Sequence, residues 1–163
     1  MPAKIFNMVP LLKAKRSGSA VHAGEFKDGY AAFAKKNYAV AMAYFKHAAA
    51  QGDADAQYSL GHMYDKGLGV VQDYAEAVKL YRLAAAQGLA DAQSNLGFMY
   101  YSGQGVVQDY VRAHMWWNLA AAHGNAGSVK NRDIVAARMT TQQIAAAQKL
   151  ARECQARDYK NCD

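Results

Sequence analysis

Residues 54–88, ADAQYSLGHMYDKGLGVVQDYAEAVKLYRLAAAQG, and residues 90–124, ADAQSNLGFMYYSGQGVVQDYVRAHMWWNLAAAHG, superpose when the chain is slid by 36 positions. The windows 53–88 and 89–124 are identical at 21 of 36 positions, which chance does not give. A fixed period of this length marks a repeat architecture in which each unit buries its apolar face against the next. Within a unit Ala56, Leu60, Met63 and Tyr64 recur at three- and four-residue spacing, and so do Tyr74, Ala77, Tyr81, Ala84 and Ala85. Apolar residues at that spacing line one face of a helix, so each unit holds two helices. Gly67 follows the first helix at the position where a left-handed residue closes it. Asp73 opens the second as N-cap, with Glu76 three residues on completing a capping pattern; Asp109 repeats the cap, but Arg112 stands where the acid would be.

Gly61 and Gly97 lie inside the first helix at equal phase, where each costs about 1 kcal/mol against alanine. Their recurrence implies that the paired helices approach too closely there for a Cβ. Trp117 stands in register with Tyr81 and Phe45 and reads as core filling. Trp116, in register with Leu80 and Tyr44, is expected half-buried.

The quoted strings resemble Sel1-like repeats, relatives of the tetratricopeptide repeat. The resemblance covers residues 25 to about 157 and implies an all-α solenoid of stacked antiparallel helix pairs. It divides the chain into a leader or degenerate export signal (1–23) and a repeat domain (24–163). The domain has a short first unit (25–52), repeats 53–88 and 89–124, and closing helices over 125–158. Residues 26–52 resemble a unit without the Gly-rich loop, with Tyr38, Ala41, Phe45 and Ala48 in register with the second helix. Val71 and Val107 stand where the family usually has proline, and Thr141 replaces another. Thr140 and Gln143 form a capping-box pair ahead of the last helix.

Composition agrees with a folded domain: 52% hydrophobic and 20% charged residues is globular usage. The net charge of +6 is carried by the two ends. Residues 51–88 sum to −2 and residues 89–124 to −1, so no basic stripe follows the repeats and nucleic-acid binding is not expected. No apolar run approaches the roughly 18 residues a membrane-spanning helix needs. Residues 5–12 are apolar behind Lys4, and Val21, His22 and Ala23 have the small-x-small form of a signal-peptidase site. Lys13, Lys15 and Arg16 interrupt the stretch, leaving an export signal and a basic leader both open.

Cys154 and Cys162 are the only cysteines. On one straight helix they would lie about 12 Å apart, too far to bridge, so a disulfide requires the helix to stop between them, over residues 158–161. In an exported protein, periplasmic or secreted, the bond ties down the tail; in the cytoplasm both cysteines stay thiols.

Matching positions are explained by packing, so a partner is read where the copies differ. Along the first helix the differences are Tyr58/Ser94, Ser59/Asn95, His62/Phe98, Asp65/Tyr101 and Lys66/Ser102. Their spacing puts them on one helical face, and the first helices of such solenoids line the concave side. These ten residues are the candidate partner-binding stripe, with Phe98 and Tyr101 as the aromatics an interface favours.

Chemistry is not written in the chain. Gly67-Leu68-Gly69 and Gly103-Gln104-Gly105 follow helices and lack the strand and third glycine of a phosphate loop. GxSxG, SxxK, HExxH, CxxC and a Walker lysine are all missing. No catalytic residue, metal site or cofactor is expected. The resemblance implies a non-catalytic adaptor or scaffold for a protein or peptide partner, as a monomer or weak homodimer. The alternative is a small-ligand or hydrolase pocket among His62, Phe98, Tyr101 and the tryptophans; some cysteine-rich relatives are said to act on β-lactams, but no residue here can inherit that role.

Overall fold

The computed structural model describes residues 20–163, with side chains from Gly24 onward; the leader reading over residues 1–19 lies outside them. Among the described residues every regular element is a helix. The order is α1 Ala20–Ala34, α2 Tyr38–Ala50, α3 Ala54–Lys66, α4 Tyr74–Ala85, α5 Ala90–Ser102, α6 Tyr110–Ala122, α7 Ala126–Ala136 and α8 Thr141–Ala156. The helices pair as α1 with α2, α3 with α4 and α5 with α6, and each pair packs on the next through α2 on α3 and α4 on α5. Both closing helices pack on α6. The fold is an all-α solenoid. Val21, His22 and Ala23 fall inside α1.

Small and large residues at fixed register build the core. Ala41, Ala77 and Ala113 are fully buried, as are Ala48, Ala84 and Ala120, and Phe45, Tyr81 and Trp117 fill the space between. A Cβ on Gly61 would stand 3.0 Å from the Tyr81 ring, and one on Gly97 would stand 2.6 Å from the Trp117 indole. The first helix of each pair therefore crosses the second at a glycine.

The first unit meets the same need at Gly29, whose Cβ would lie 2.8 Å from Phe45. Register with Gly61 would put that glycine at residue 25. The connection between α1 and α2 is four residues shorter than that between α3 and α4, residues 35–37 against 67–73. Four residues is close to one helical turn, so the crossing point moves one turn along α1 and keeps its face.

Helix ends are closed by side chains. Asp53, Asp73, Asp109 and Asn125 each accept the backbone N–H three residues on, at 2.7 to 3.0 Å. Thr140 and Gln143 make the reciprocal capping box. The expected contribution of Glu76 to its cap is different: its carboxylate turns outward to Lys79 Nζ at 2.9 Å. At the second copy Arg112 returns its guanidinium to Asp109 at 2.7 Å, so the cap gains an ion pair in place of an acid. Leu89, in register with Asp53 and Asn125, gives α5 no side-chain cap.

The loops after α3 and α5 hold their shape without proline. Gly67 and Gly103 take left-handed φ of 65° and 71°. The amides of Gln72 and Gln108 then donate to the Asp65 and Tyr101 carbonyls at 2.6 and 2.8 Å, satisfying acceptors that the helix end leaves open. Val71 and Val107 simply point outward.

Glutamines tie neighbouring units together. Gln57 donates to Ala49 O and Gln93 to Ala85 O, both at 3.3 Å. Gln87 donates to Gln57, and His123 takes its place in the next copy, 2.9 Å from Gln93. The other ring nitrogen of His123 meets the Tyr159 hydroxyl at 2.8 Å. After α8 the chain turns through left-handed Asp158, Tyr159 and Asn161, which brings Cys162 back to Cys154 in a disulfide.

Candidate partner-binding face

The ten stripe residues fall into two groups. Tyr58, only 9% exposed, lies 5.7 Å from Tyr81, centroid to centroid, and Ser59 is fully enclosed. Asp65 is buried too, accepting the Tyr81 hydroxyl at 3.5 Å and pairing with Lys66 Nζ at 2.9 Å. Asn95 lies near the phenols of Tyr58 and Tyr81. Burial and the neighbouring acids push both phenols well above their ordinary range. Ser94 is drawn into the closing contacts, its hydroxyl 2.9 Å from Ser128 and its carbonyl accepting the Trp117 indole N–H at 3.0 Å. The differences at these positions therefore let each junction fit its own neighbour.

The open group is Lys66, Phe98 and Ser102, with His62 and Tyr101 half-buried beside them. Phe98 is 49% exposed. Tyr101 stacks on Tyr110 at 5.5 Å and leans on Trp117 at 5.7 Å, while the Arg138 guanidinium sits 5.6 Å above its ring. Ser102 bonds back to Phe98 O at 2.9 Å. On the preceding unit His62 faces Phe33, and burial lowers its pKa, which keeps the imidazole neutral. An exposed ring next to a pre-ordered one, with a cation held nearby, is an arrangement that contacts another surface at low entropic cost.

Trp116 is not half-buried as expected but 2% exposed; at the same register Leu80 on α4 is also buried, while Tyr44 on α2 is exposed. Trp117 is 3% exposed. Neither indole offers a flat face to a small ligand. No group of three or more His, Cys, Asp or Glu near enough to hold a metal occurs among the described residues, and no described helix is long and apolar enough to cross a membrane.

Three repeats match the model of the Sel1 repeat family, over residues 25–53, 54–89 and 90–125. The chain belongs to the Sel1 repeat family. Among solved structures it is similar to c5321, a protective antigen present in uropathogenic Escherichia coli strains and displaying an SLR fold. Identity is 32% over 85% of this chain, with a TM-score of 0.80; the chain spans 31% of that protein's length. A Sel1 repeat protein from Oxalobacter formigenes is also 32% identical, over 69% of this chain and 87% of its own, with a TM-score of 0.64. No curated protein matches. Sel1 repeats are generally protein-interaction modules, and the family is typically a non-catalytic scaffold.

Comparing the Sel1 repeats exposes one unsatisfied acid. Asp91, in the first turn of α5, accepts the Asn125 amide of the next unit at 3.0 Å. Asp55 holds the same place on α3, but its next-unit neighbour in register is Leu89, and its Oδ1 is buried without a partner. Burial, then the charges of Asp53 and Asp91, raise its pKa from the ordinary 3.8 to about 6, outweighing the opposite pull of the helix N-terminus. The folded chain therefore holds this proton more tightly than the unfolded one, and stability contributed at low pH is lost as pH rises from about 4 through about 6. Asp55→Asn is expected to melt like the wild type at pH 4 and above it at pH 7, read as paired thermal melts across that range.

Proposed function

We propose that this chain is a non-catalytic adaptor or scaffold that holds a protein or peptide partner on the concave side, along the open part of the α3 and α5 stripe. The observation that carries the reading is Phe98, half-exposed on a helix whose other large apolar side chains are packed, beside the ordered Tyr101 and Arg138. Aromatic side chains are favoured at the centre of protein interfaces, and the equivalent place on the preceding unit is held by His62. Export, to the periplasm or beyond, accords with a Cys154–Cys162 bond, since disulfides persist in oxidising compartments. Thiol labelling of protein recovered from its native compartment tests that part: free thiols refute export.

The face is tested by affinity capture of a partner from the native extract, followed by binding measurements with the purified pair. Phe98→Asp is expected to weaken binding about 30-fold or more, the roughly 2 kcal/mol of a central aromatic, with the thermal melt unchanged. Tyr101→Ala should weaken it less, because part of its ring is spent on Tyr110 and Trp117. A partner that binds the Phe98→Asp chain with wild-type affinity places the interface elsewhere.

A further inference from the structure

The tail beyond α8 ends its course in a polar notch that neither the repeat pattern nor the stripe accounts for. Asp163 accepts a hydrogen bond from Arg82 Nε through Oδ2 and from Trp116 Nε1 through Oδ1, the latter at 3.1 Å. Arg82 also donates from Nη2 to the Tyr100 hydroxyl at 2.8 Å. A second guanidinium, that of Arg112, lies 6.0 Å over the Tyr100 ring. The donors come from α4, α5 and α6, so the notch belongs to the solenoid and the carboxylate is delivered from outside it.

Two features separate this notch from an ordinary tail contact. Its donor set exists at one junction only: one repeat earlier the positions of Arg82, Tyr100, Trp116 and Arg112 are held by Lys46, Tyr64, Leu80 and Glu76. Leu80 has no donor, and Glu76 would repel an anion. The second feature is what an empty notch would contain. Trp116 is 2% exposed and its indole N–H donates to Asp163, so removal of that carboxylate takes the acceptor from the indole N–H and from Arg82 Nε and leaves Arg82 its bond to the Tyr100 hydroxyl. The notch is built for a carboxylate. Its present occupant arrives on a backbone with three left-handed non-glycine residues, Asp158, Tyr159 and Asn161, and is kept in place by the Cys154–Cys162 tether.

We infer that Arg82, Tyr100 and Trp116 form a carboxylate-recognition site, filled in this chain by its own Asp163, which an aspartate or glutamate side chain of a protein partner takes in its place. A partner residue presented on an unstrained backbone makes the same hydrogen bonds without the left-handed turn. The site shares with the proposed function only the premise that the partner is a protein; it lies off the Phe98 face.

The test uses the full chain and a fluorescent peptide, blocked at both ends, with the sequence of residues 157–163 and serine at Cys162. Anisotropy should show binding to the Asp163→Ala chain at least about tenfold tighter than to the wild type, because the tethered competitor has been removed. A peptide with asparagine in place of its aspartate should lose the binding. Arg82→Gln in the Asp163→Ala background should abolish it, and Arg82→Lys, which keeps the charge but not the Nε–H, should weaken it, each checked for unchanged helicity. Phe98→Asp should leave it intact, so failure of the proposed face and failure of this site read out separately. Equal binding to wild type and Asp163→Ala, binding that survives the aspartate-to-asparagine change, or none at millimolar peptide would each overturn the inference and leave Asp163 as a tail anchor.

Discussion

The Gly97→Leu chain is expected to lose more than about 3 kcal/mol of stability and to unfold first at the α5–α6 pair, beyond the usual 1–3 kcal/mol of an overpacked core. A Cβ at Gly97 would stand 2.6 Å from both Cδ1 and Nε1 of Trp117 and 2.9 Å from Cε2. The indole cannot step aside: its N–H is bonded to the Ser94 carbonyl at 3.0 Å, and Tyr101 stands against it. Even Gly97→Ala should cost about 2 kcal/mol, although alanine gains about 1 kcal/mol of helix propensity. Gly61 is the internal control. Its Cβ would meet the Tyr81 ring at 3.0 Å and Leu80 Cβ at 3.3 Å, distances that shifts of a few tenths of an ångström relieve. Gly61→Ala is therefore expected to stay within about 1 kcal/mol of wild type, propensity offsetting strain. Urea unfolding followed by circular dichroism reads all three, and equal midpoints for the two alanine variants would refute crossing at these glycines.

Gly105→Ala should be nearly as damaging, at about 3–5 kcal/mol, from a loop that looks unremarkable in isolation. Gly105 has φ of 71°, and its Cβ would lie 2.6 Å from the Tyr74 carbonyl carbon and 3.0 Å from Ala75 N. These are backbone atoms in the first turn of α4, fixed by the Asp73 cap, so they cannot yield as a side-chain tip would. The loop of one repeat thus clasps the start of the second helix of the repeat before it. Gly69 does the same to Tyr38, whose Cβ a new methyl would meet at 2.6 Å. A loss of about 10 °C in melting temperature is expected for Gly105→Ala, and a loss under about 3 °C would mean the clasp contributes little.

Much of this was legible in the chain before folding. The 36-residue period, the glycines at equal phase and the Asp and Thr caps each encode a local requirement, and repetition makes a local requirement visible twice. Less was legible about the stripe. Difference between copies marked Tyr58, Ser59 and Asp65 together with Phe98 and Ser102, yet the first three are enclosed at a junction and the last two are open. A helix period gives the face of a residue but not which neighbour covers that face.

The missed residues share one cause. Arg82, Tyr100 and Trp116 lie on three helices and acquire a common role only when Asp163, 47 residues beyond Trp116, is brought to them. Trp116 was misjudged because register does not say what covers a position: Tyr44 is exposed there, while Leu80 and Trp116 are buried. Gly29 carries no signal in the period: aligned with Gly61 it is out of phase, and the shorter connection between α1 and α2 restores it.

By itself the sequence determined the helices, their pairing, the crossing points of two units and the repeat-on-repeat stacking, because these follow from contacts within one period and recur. Only the tertiary structure decided which differing positions face solvent, how the closing helix covers α6, and where the tail carboxylate lands. Those outcomes depend on contacts made once, between segments remote in the chain, and a contact made once leaves no period to read.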